Sequence, residues 1–153
     1  MGKYINAPEG FVEKVRYIDL GNTVKAAVYT SERCRAFADM MKNNRYGTMI
    51  NISSVCARHC WPTWSVYAAA KAGVLNFSKG MYLEMQPYGV RVSCVVPSSA
   101  STGFQSACGI GETTDKLLPE DIAETVLYIA NLPARAVVED VTVWGIDKEI
   151  NPL

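Results

Sequence analysis

Between Thr48 and Val96 the chain switches its apolar pattern twice, and this alternation constrains its fold more than any other feature. Thr48 to Ser54 is a short β-prone run. Tyr67 to about Gln86 carries apolar residues at three- and four-residue spacing and stops at Pro87-Tyr88-Gly89, and Arg91 to Val96 is β-prone again. Strand, helix, strand in that order is a crossover unit, which predicts a parallel sheet of the α/β class. The pattern repeats downstream: Pro119-Glu120-Asp121 opens a helix that runs to about Ala130, and Val141-Thr142-Val143-Trp144 reads as a last strand. Upstream, Phe11, Val15, Ile18, Val24, Ala27, Val28, Cys34, Phe37 and Met41 predict a long helix over about Glu9–Asn43, broken near Gly21-Asn22, with a strand stub in Met1–Asn6.

Composition narrows the class. The 153 residues are 49% hydrophobic and 20% charged with a formal net charge of zero, which fits one folded domain over residues 1–153. Neither a basic run nor an apolar stretch of about 20 residues occurs, so nucleic acid and membrane are not expected partners. Met1-Gly2-Lys3-Tyr4 lacks the apolar core of a signal peptide, and five cysteines, an odd number, suit reduced thiols, so the expected location is cytoplasmic.

The chemistry concentrates in Ser54, Tyr67 and Lys71. Tyr67 and Lys71 are four apart on the predicted helix and therefore share a face. A free tyrosine titrates near pH ~10, and a cation within reach lowers a neighbouring acid by about 1–3 units, so Lys71 makes Tyr67 a candidate acid/base. Ser54 would hydrogen-bond a substrate oxygen, and Lys71 would also reach ribose hydroxyls of a bound nucleotide.

From about Gly47 to the C-terminus the text resembles the short-chain dehydrogenase/reductase family. Gly47-Thr48-Met49-Ile50-Asn51-Ile52-Ser53-Ser54 resembles that family's strand ending in its catalytic serine, with the spacing selecting Ser54 over Ser53. Tyr67 and Lys71 match its catalytic tyrosine and lysine. Tyr88 to Pro97 resembles its next strand, and Pro119-Glu120-Asp121-Ile122-Ala123 its late helix start. The resemblance implies a Rossmann-like parallel sheet flanked by helices, truncated to the C-terminal catalytic half. It also implies an NAD or NADP cofactor and a small carbonyl or alcohol substrate. In the loop after Val96, Pro97, Ala100 and Thr102 match cofactor-contacting positions, alongside Lys71.

The chain departs from the family at three places. No Gly-x-x-x-Gly-x-Gly precedes Ser54, so the ADP half of a dinucleotide has no visible cradle, which leaves a cofactor-free chemistry open. Ser98 stands where the family has glycine, and a requirement for φ > 0 there would strain the turn. The family's fourth catalytic residue, an asparagine, has no settled counterpart: counting back from Gly47 puts Ala26 there, the local text Ile18-Asp19-Leu20 puts Asp19 there, and Asn22 fits neither register.

Cys56, His59 and Cys60 offer only three ligands where a structural zinc takes four, so no metal is expected. The resemblance places this segment in the loop that lines the substrate pocket. His59, Trp61, Trp64 and Phe104 are candidate pocket residues, with surface exposure of His59 and core packing of either tryptophan as the alternatives. Residues 103–118, with Gly109-Ile110-Gly111 and Cys108, read as a substrate-covering lid.

A half-sheet leaves its first strand without a neighbour, and the helix from Tyr67 is apolar or small on more than one side, with Ala69, Gly73, Tyr82 and Leu83 outside its main stripe. Both features predict a homo-oligomer through the helices around 9–43 and 67–86. Three functions remain from this reading. One is NAD(P)-dependent oxidoreduction with Tyr67 as acid/base. The second is a cofactor-independent isomerase, dehydratase or cyclase using Ser54, Tyr67 and Lys71 for proton transfer. The third is a noncatalytic oligomerising subunit.

Overall fold

The computed structural model describes residues 22–102 and 117–148, with helix side chains from residue 33 onward. Helix α1 spans Asn22–Asn44, strand β1 Gly47–Ile52, helix α2 Ser65–Met85, strand β2 Val90–Pro97, helix α3 Pro119–Ala130 and strand β3 Asp140–Val143. The predicted elements that fall within the described residues are present within a few residues of their expected bounds. The predicted part of the first helix before Asn22, the break expected near Gly21-Asn22 and the strand stub lie outside the described residues.

The sheet is parallel throughout, in the order β1-β2-β3. Gly47 pairs with Val90 and Ile52 with Val95 across the first ladder, while Cys94 pairs with Asp140 and Pro97 with Val143 across the second. β2 is therefore the central strand, and its side chains from Val92 to Val96 are all buried. That is why it reads as a nearly unbroken apolar run. The side chains alternate between faces. Val90 and Val92 join Met49, Cys34, Ala38, Met81 and Met85 in a core beneath α1 and α2, and Cys94 and Val96 join Val55 and Leu75 in a second cluster. On the opposite face Arg91 reaches the main-chain oxygens at the end of α3.

α2 turns Ala70, Val74, Met81 and Met85 inward, as its periodicity predicts, and Phe77 is half-buried beside them. On another side of the helix Ala69, Gly73 and Leu83 are exposed and Tyr82 is half-buried. The helix ends in a 3-10 turn, Gln86–Tyr88, followed by Gly89 at φ 72°. A side chain at Gly89 would sit in the left-handed region and meet the Arg45 oxygen at 3.1 Å, so glycine is required where the chain turns into β2. Among the described residues β1 has a strand neighbour on one side only, and no helix is long and apolar enough to cross a membrane.

Candidate active site

The three strands all end at the same edge of the sheet, and of the predicted site residues Ser54, Pro97, Ala100 and Thr102 lie at or just beyond those ends. Ser53 and Ser54 follow β1, Ser98 to Thr102 follow β2, and Trp144 and Gly145 follow β3. Open parallel sheets bind ligands at this edge.

Ser54 leaves β1 in an extended conformation and caps the 3-10 turn Val55–Ala57, its Oγ accepting the N–H of Cys56 at 3.2 Å. The same hydroxyl faces the Cys56 thiol. Tyr67 and Lys71 lie one turn apart in the first half of α2. The Lys71 ammonium stands 5.7 Å from the centre of the Tyr67 ring, within cation–π range, and donates to the Ile52 carbonyl at 3.3 Å. Trp64 meets the Tyr67 ring edge-on with centroids 5.2 Å apart, fixing the ring from the other side. Between Trp61 and the helix start, Thr63 takes φ 71°. That is a strained conformation for a β-branched residue, and it aims the chain into α2.

Electrostatics add a constraint that the motif does not reveal. Burial lowers the Lys71 ammonium below its ordinary value, and the nearby thiols of Cys94 and Cys56 partly offset this. Burial likewise raises the Cys56 thiol, against the hydrogen bond from Ser54, and raises the Cys94 thiol, against a hydrogen bond involving Ser78. The lysine thus sits in a poorly solvated position between two neutral sulfurs.

The other predicted residues divide. Pro97 closes β2, and Ala100 and Thr102 follow in the loop at the ligand-binding edge. His59 is half-buried between two tryptophans, with ring centroids 5.8 Å from Trp144 and 6.2 Å from Trp61. Among the described residues no three histidine, cysteine or acidic side chains come together as a metal site. Phe104 and all of the predicted lid over 103–118 except Leu117 and Leu118 lie outside the described residues, and so does Asp19. Ala26 and Asn22 fall in α1 ahead of its described side chains.

Ser98 is not strained: Arg45 and Thr63 are the non-glycine residues with positive φ among those described. Its hydroxyl accepts the N–H of Gly145 at 3.0 Å, and its own N–H bonds the Val143 oxygen at 2.8 Å, so it ties the loop after β2 to the exit of β3. The expected cost of losing glycine is thus replaced by a cross-link. The residues present suit the nicotinamide-ribose half of a dinucleotide: a cation at Lys71 and a polar loop at Ser98–Thr102 whose first hydroxyl is turned onto Gly145. For the pyrophosphate half the described residues hold no glycine-rich strand-to-helix turn.

Sequence reasoning passed over Ser53, Arg91 and Trp144. The adjacent serines were the signal for Ser53, and Trp144, just beyond the last strand, falls at the ligand-binding edge by position.

A family model described as short chain dehydrogenase matches residues 24–113. An uncharacterized oxidoreductase of Staphylococcus aureus (strain N315) is 31% identical over 120 residues, covering 78% of this chain and 50% of that protein. The 3-oxoacyl-(acyl-carrier-protein) reductase FabG of Chlamydia trachomatis (serovar D) is 31% identical over 119 residues, covering 72% of this chain and 47% of that protein. Among solved structures, the closed form of serine dehydrogenase complexed with NADP+ superposes with a TM-score of 0.73 at 25% identity, over 81% of this chain and 54% of that one. A short-chain dehydrogenase from Sphingobium yanoikuyae in complex with NADPH gives 0.66 at 26% identity, over 75% and 45%. The chain spans about half the length of the relatives it matches. With the model matching well over half of its residues and the same sheet in the solved structures, this chain belongs to the short-chain dehydrogenase family.

Proposed function

We propose that this chain carries the proton-transfer half of an NAD(P)-dependent oxidoreductase acting on a carbonyl or alcohol, with Tyr67 as acid/base. The observation that carries the reading is the position of the Lys71 ammonium, 5.7 Å from the Tyr67 ring centre and 3.3 Å from the Ile52 carbonyl. A cation held there favours the phenolate of Tyr67, and burial that makes the ammonium ready to give up its proton lets it follow the phenol's charge. Ser54 donates its hydroxyl hydrogen to the substrate oxygen, orients it toward Tyr67 and steadies charge on it. Lys71 and the loop Pro97–Thr102, through Ala100 and Thr102, would hold the nicotinamide-ribose end. His59, Trp61 and Trp64 form an aromatic wall suited to an apolar substrate body. The nicotinamide, when bound, supplies or takes the hydride. Names of relatives support this reading, since they include oxidoreductases and structures with NADP+ or NADPH bound.

The test is calorimetric titration of the purified chain with NADH and with NADPH, using Tyr67→Phe and Lys71→Ala as controls. Micromolar binding weakened by Lys71→Ala is expected. Absence of any binding would remove hydride transfer by this chain alone and leave the proton-transfer alternative.

We further infer self-association through α2. Its outward residues Val66, Ala69, Gly73, Asn76, Gly80 and Leu83 recur at three- and four-residue spacing and are all exposed. Reversed end for end the row matches itself, with Val66 opposite Leu83 and Ala69 opposite Gly80, as a two-fold helix pair requires.

A further inference from the structure

Ser53, the serine that is not the candidate catalytic one, is 2% exposed and bonded through both its main-chain N–H and its hydroxyl. Its N–H bonds the Val95 oxygen at 2.8 Å, which fixes it to β2, and its hydroxyl donates to the main-chain oxygen of Lys71 at 2.7 Å. That oxygen lies inside α2, where the helix supplies its own N–H partner one turn on. The serine bond is therefore not needed to satisfy the carbonyl; it is an added tie between sheet and helix. Lys71 returns the contact from its other end, since its ammonium donates to the oxygen of Ile52, the residue before Ser53. Two consecutive residues at the exit of β1 thus hold one residue of α2 by both its main chain and its side chain.

We propose that Ser53 is a positioning residue, whose hydroxyl sets the height of Tyr67 and Lys71 along the α2 axis relative to Ser54. The proposal rests on the reading of Tyr67 and Lys71 as the reacting pair. Its physical basis is the scale of the motion involved. One residue of helical rise is about 1.5 Å, so a slip of that size breaks a 2.7 Å hydrogen bond. A displacement of about 1 Å at reacting groups can cost about 100-fold in rate. Ser53 and Ser54 are adjacent in the chain, so the group that grips the helix and the group that grips the substrate move as one.

A purely structural buried serine exists in the same core and serves as the comparison. Ser78, also on α2 and 2% exposed, donates to Val74 on its own helix at 2.8 Å and accepts from Asn51 at 2.9 Å, with no bond to Lys71. Ser53→Ala and Ser78→Ala each remove one buried hydroxyl. If Ser53 acts by position, its replacement displaces the Lys71 ammonium itself, whereas that of Ser78 touches only the neighbouring Cys94 thiol.

The experiment is an NMR titration of the Lys71 side chain in protein made with isotope-labelled lysine, the signal assigned by its loss in Lys71→Arg, together with NADPH calorimetry. In Ser53→Ala the Lys71 titration is expected to move up toward that of an exposed lysine, and NADPH binding to weaken by about fivefold, the equivalent of one hydrogen bond. Ser78→Ala is expected to leave NADPH binding unchanged and to move the Lys71 titration less than Ser53→Ala does, since it reaches Lys71 only through the Cys94 thiol. An unmoved Lys71 titration in Ser53→Ala overturns the proposal, and so does an equal shift in Ser78→Ala. If Ser53→Ala does not fold, Ser53→Cys keeps the packing with a weaker donor and carries the same expectations. A Lys71 shift in a chain whose wild type binds neither NADH nor NADPH keeps the positioning role and removes the cofactor reading, so the two fail separately.

Discussion

Thr48 and Arg91 face each other in register across β1 and β2, and the Thr48 hydroxyl accepts from two nitrogens of the Arg91 guanidinium, at 2.8 and 3.1 Å. The remaining donors of that guanidinium reach the oxygens of Leu132 at 2.7 Å and Ala130 at 3.2 Å. Carbonyls at a helix C-terminus have no intrahelical partner, so Arg91 both caps α3 and fastens it to the sheet. Arg91→Ala should destabilise the fold by about 2 kcal/mol, the cost of leaving partly buried acceptors unpaired. Arg91→Lys should recover less than half, because an ammonium cannot span the planar fork. Urea denaturation of the three proteins checks this, and equal midpoints for wild type and Arg91→Lys would count against a bidentate role.

Tyr67→Phe removes only a hydroxyl at a half-buried position, so its stability should change by less than about 1 kcal/mol. Turnover should fall by about 100-fold or more, the usual contribution of a positioned acid/base. The measurement is nicotinamide absorbance against a panel of aldehydes and ketones. A Tyr67→Phe protein that keeps the wild-type rate excludes Tyr67 as the proton donor.

The pH dependence of stability carries two opposed contributions. Burial raises the thiols of Cys34, Cys56 and Cys94 in the folded chain. An unfolded thiol ionises near pH ~8.5, so their contribution is fully present below that pH and is lost as pH rises toward the folded values. Lys71 acts with the other sign. Its folded value is lowered, so the unfolded chain binds its proton more tightly and stability rises with pH between the lowered value and the ordinary lysine value near ~10.4. Lys71→Met should therefore be more stable than wild type at pH 7 and should lose stability more steeply between pH ~8.5 and ~10. Denaturant midpoints across that range decide it, and a parallel pair of curves would show that burial does not penalise the ammonium.

Much of this architecture is legible from residue pattern alone, and the reasons are local. Periodicity separates β1, α2 and β2 because turn residues bound each one, and Gly89 marks its boundary by a backbone angle that few other residues take. The Pro119 start and Ala130 end of α3 are read correctly because proline and acidic residues suit a helix N-terminus. Tyr67 and Lys71 fall on one helix face by arithmetic. What the pattern could not carry is contact between distant segments. The Ser98 hydroxyl meets Gly145, Arg91 meets Leu132 and Ser53 meets Lys71, each across a crossover whose closure depends on the packed sheet. The strain that a positive φ would bring at Ser98 does not arise, because φ there is not positive, and the hydroxyl that stands in place of glycine accepts the N–H of Gly145 instead.

The outer face of α2 yields a prediction whose sign depends on self-association. Leu83 is 67% exposed and Val66 55%, and nothing lies within 4 Å of a side chain built at Gly73 or Gly80. On a solitary helix, Gly80→Ala should raise stability by about 0.5–1 kcal/mol, since glycine in a helix interior carries that penalty. If two copies of α2 meet along this row, the same methyl group enters the contact and weakens it, so Gly80→Ala should stabilise the protomer in urea while loosening the assembly in sedimentation. Leu83→Glu should separate the copies outright, because two buried carboxylates would approach the hydrophobic ends of the interface. A wild-type chain that sediments as a 16.8 kDa monomer at micromolar concentration would remove the inference and leave Gly80→Ala as a simple stabilising change.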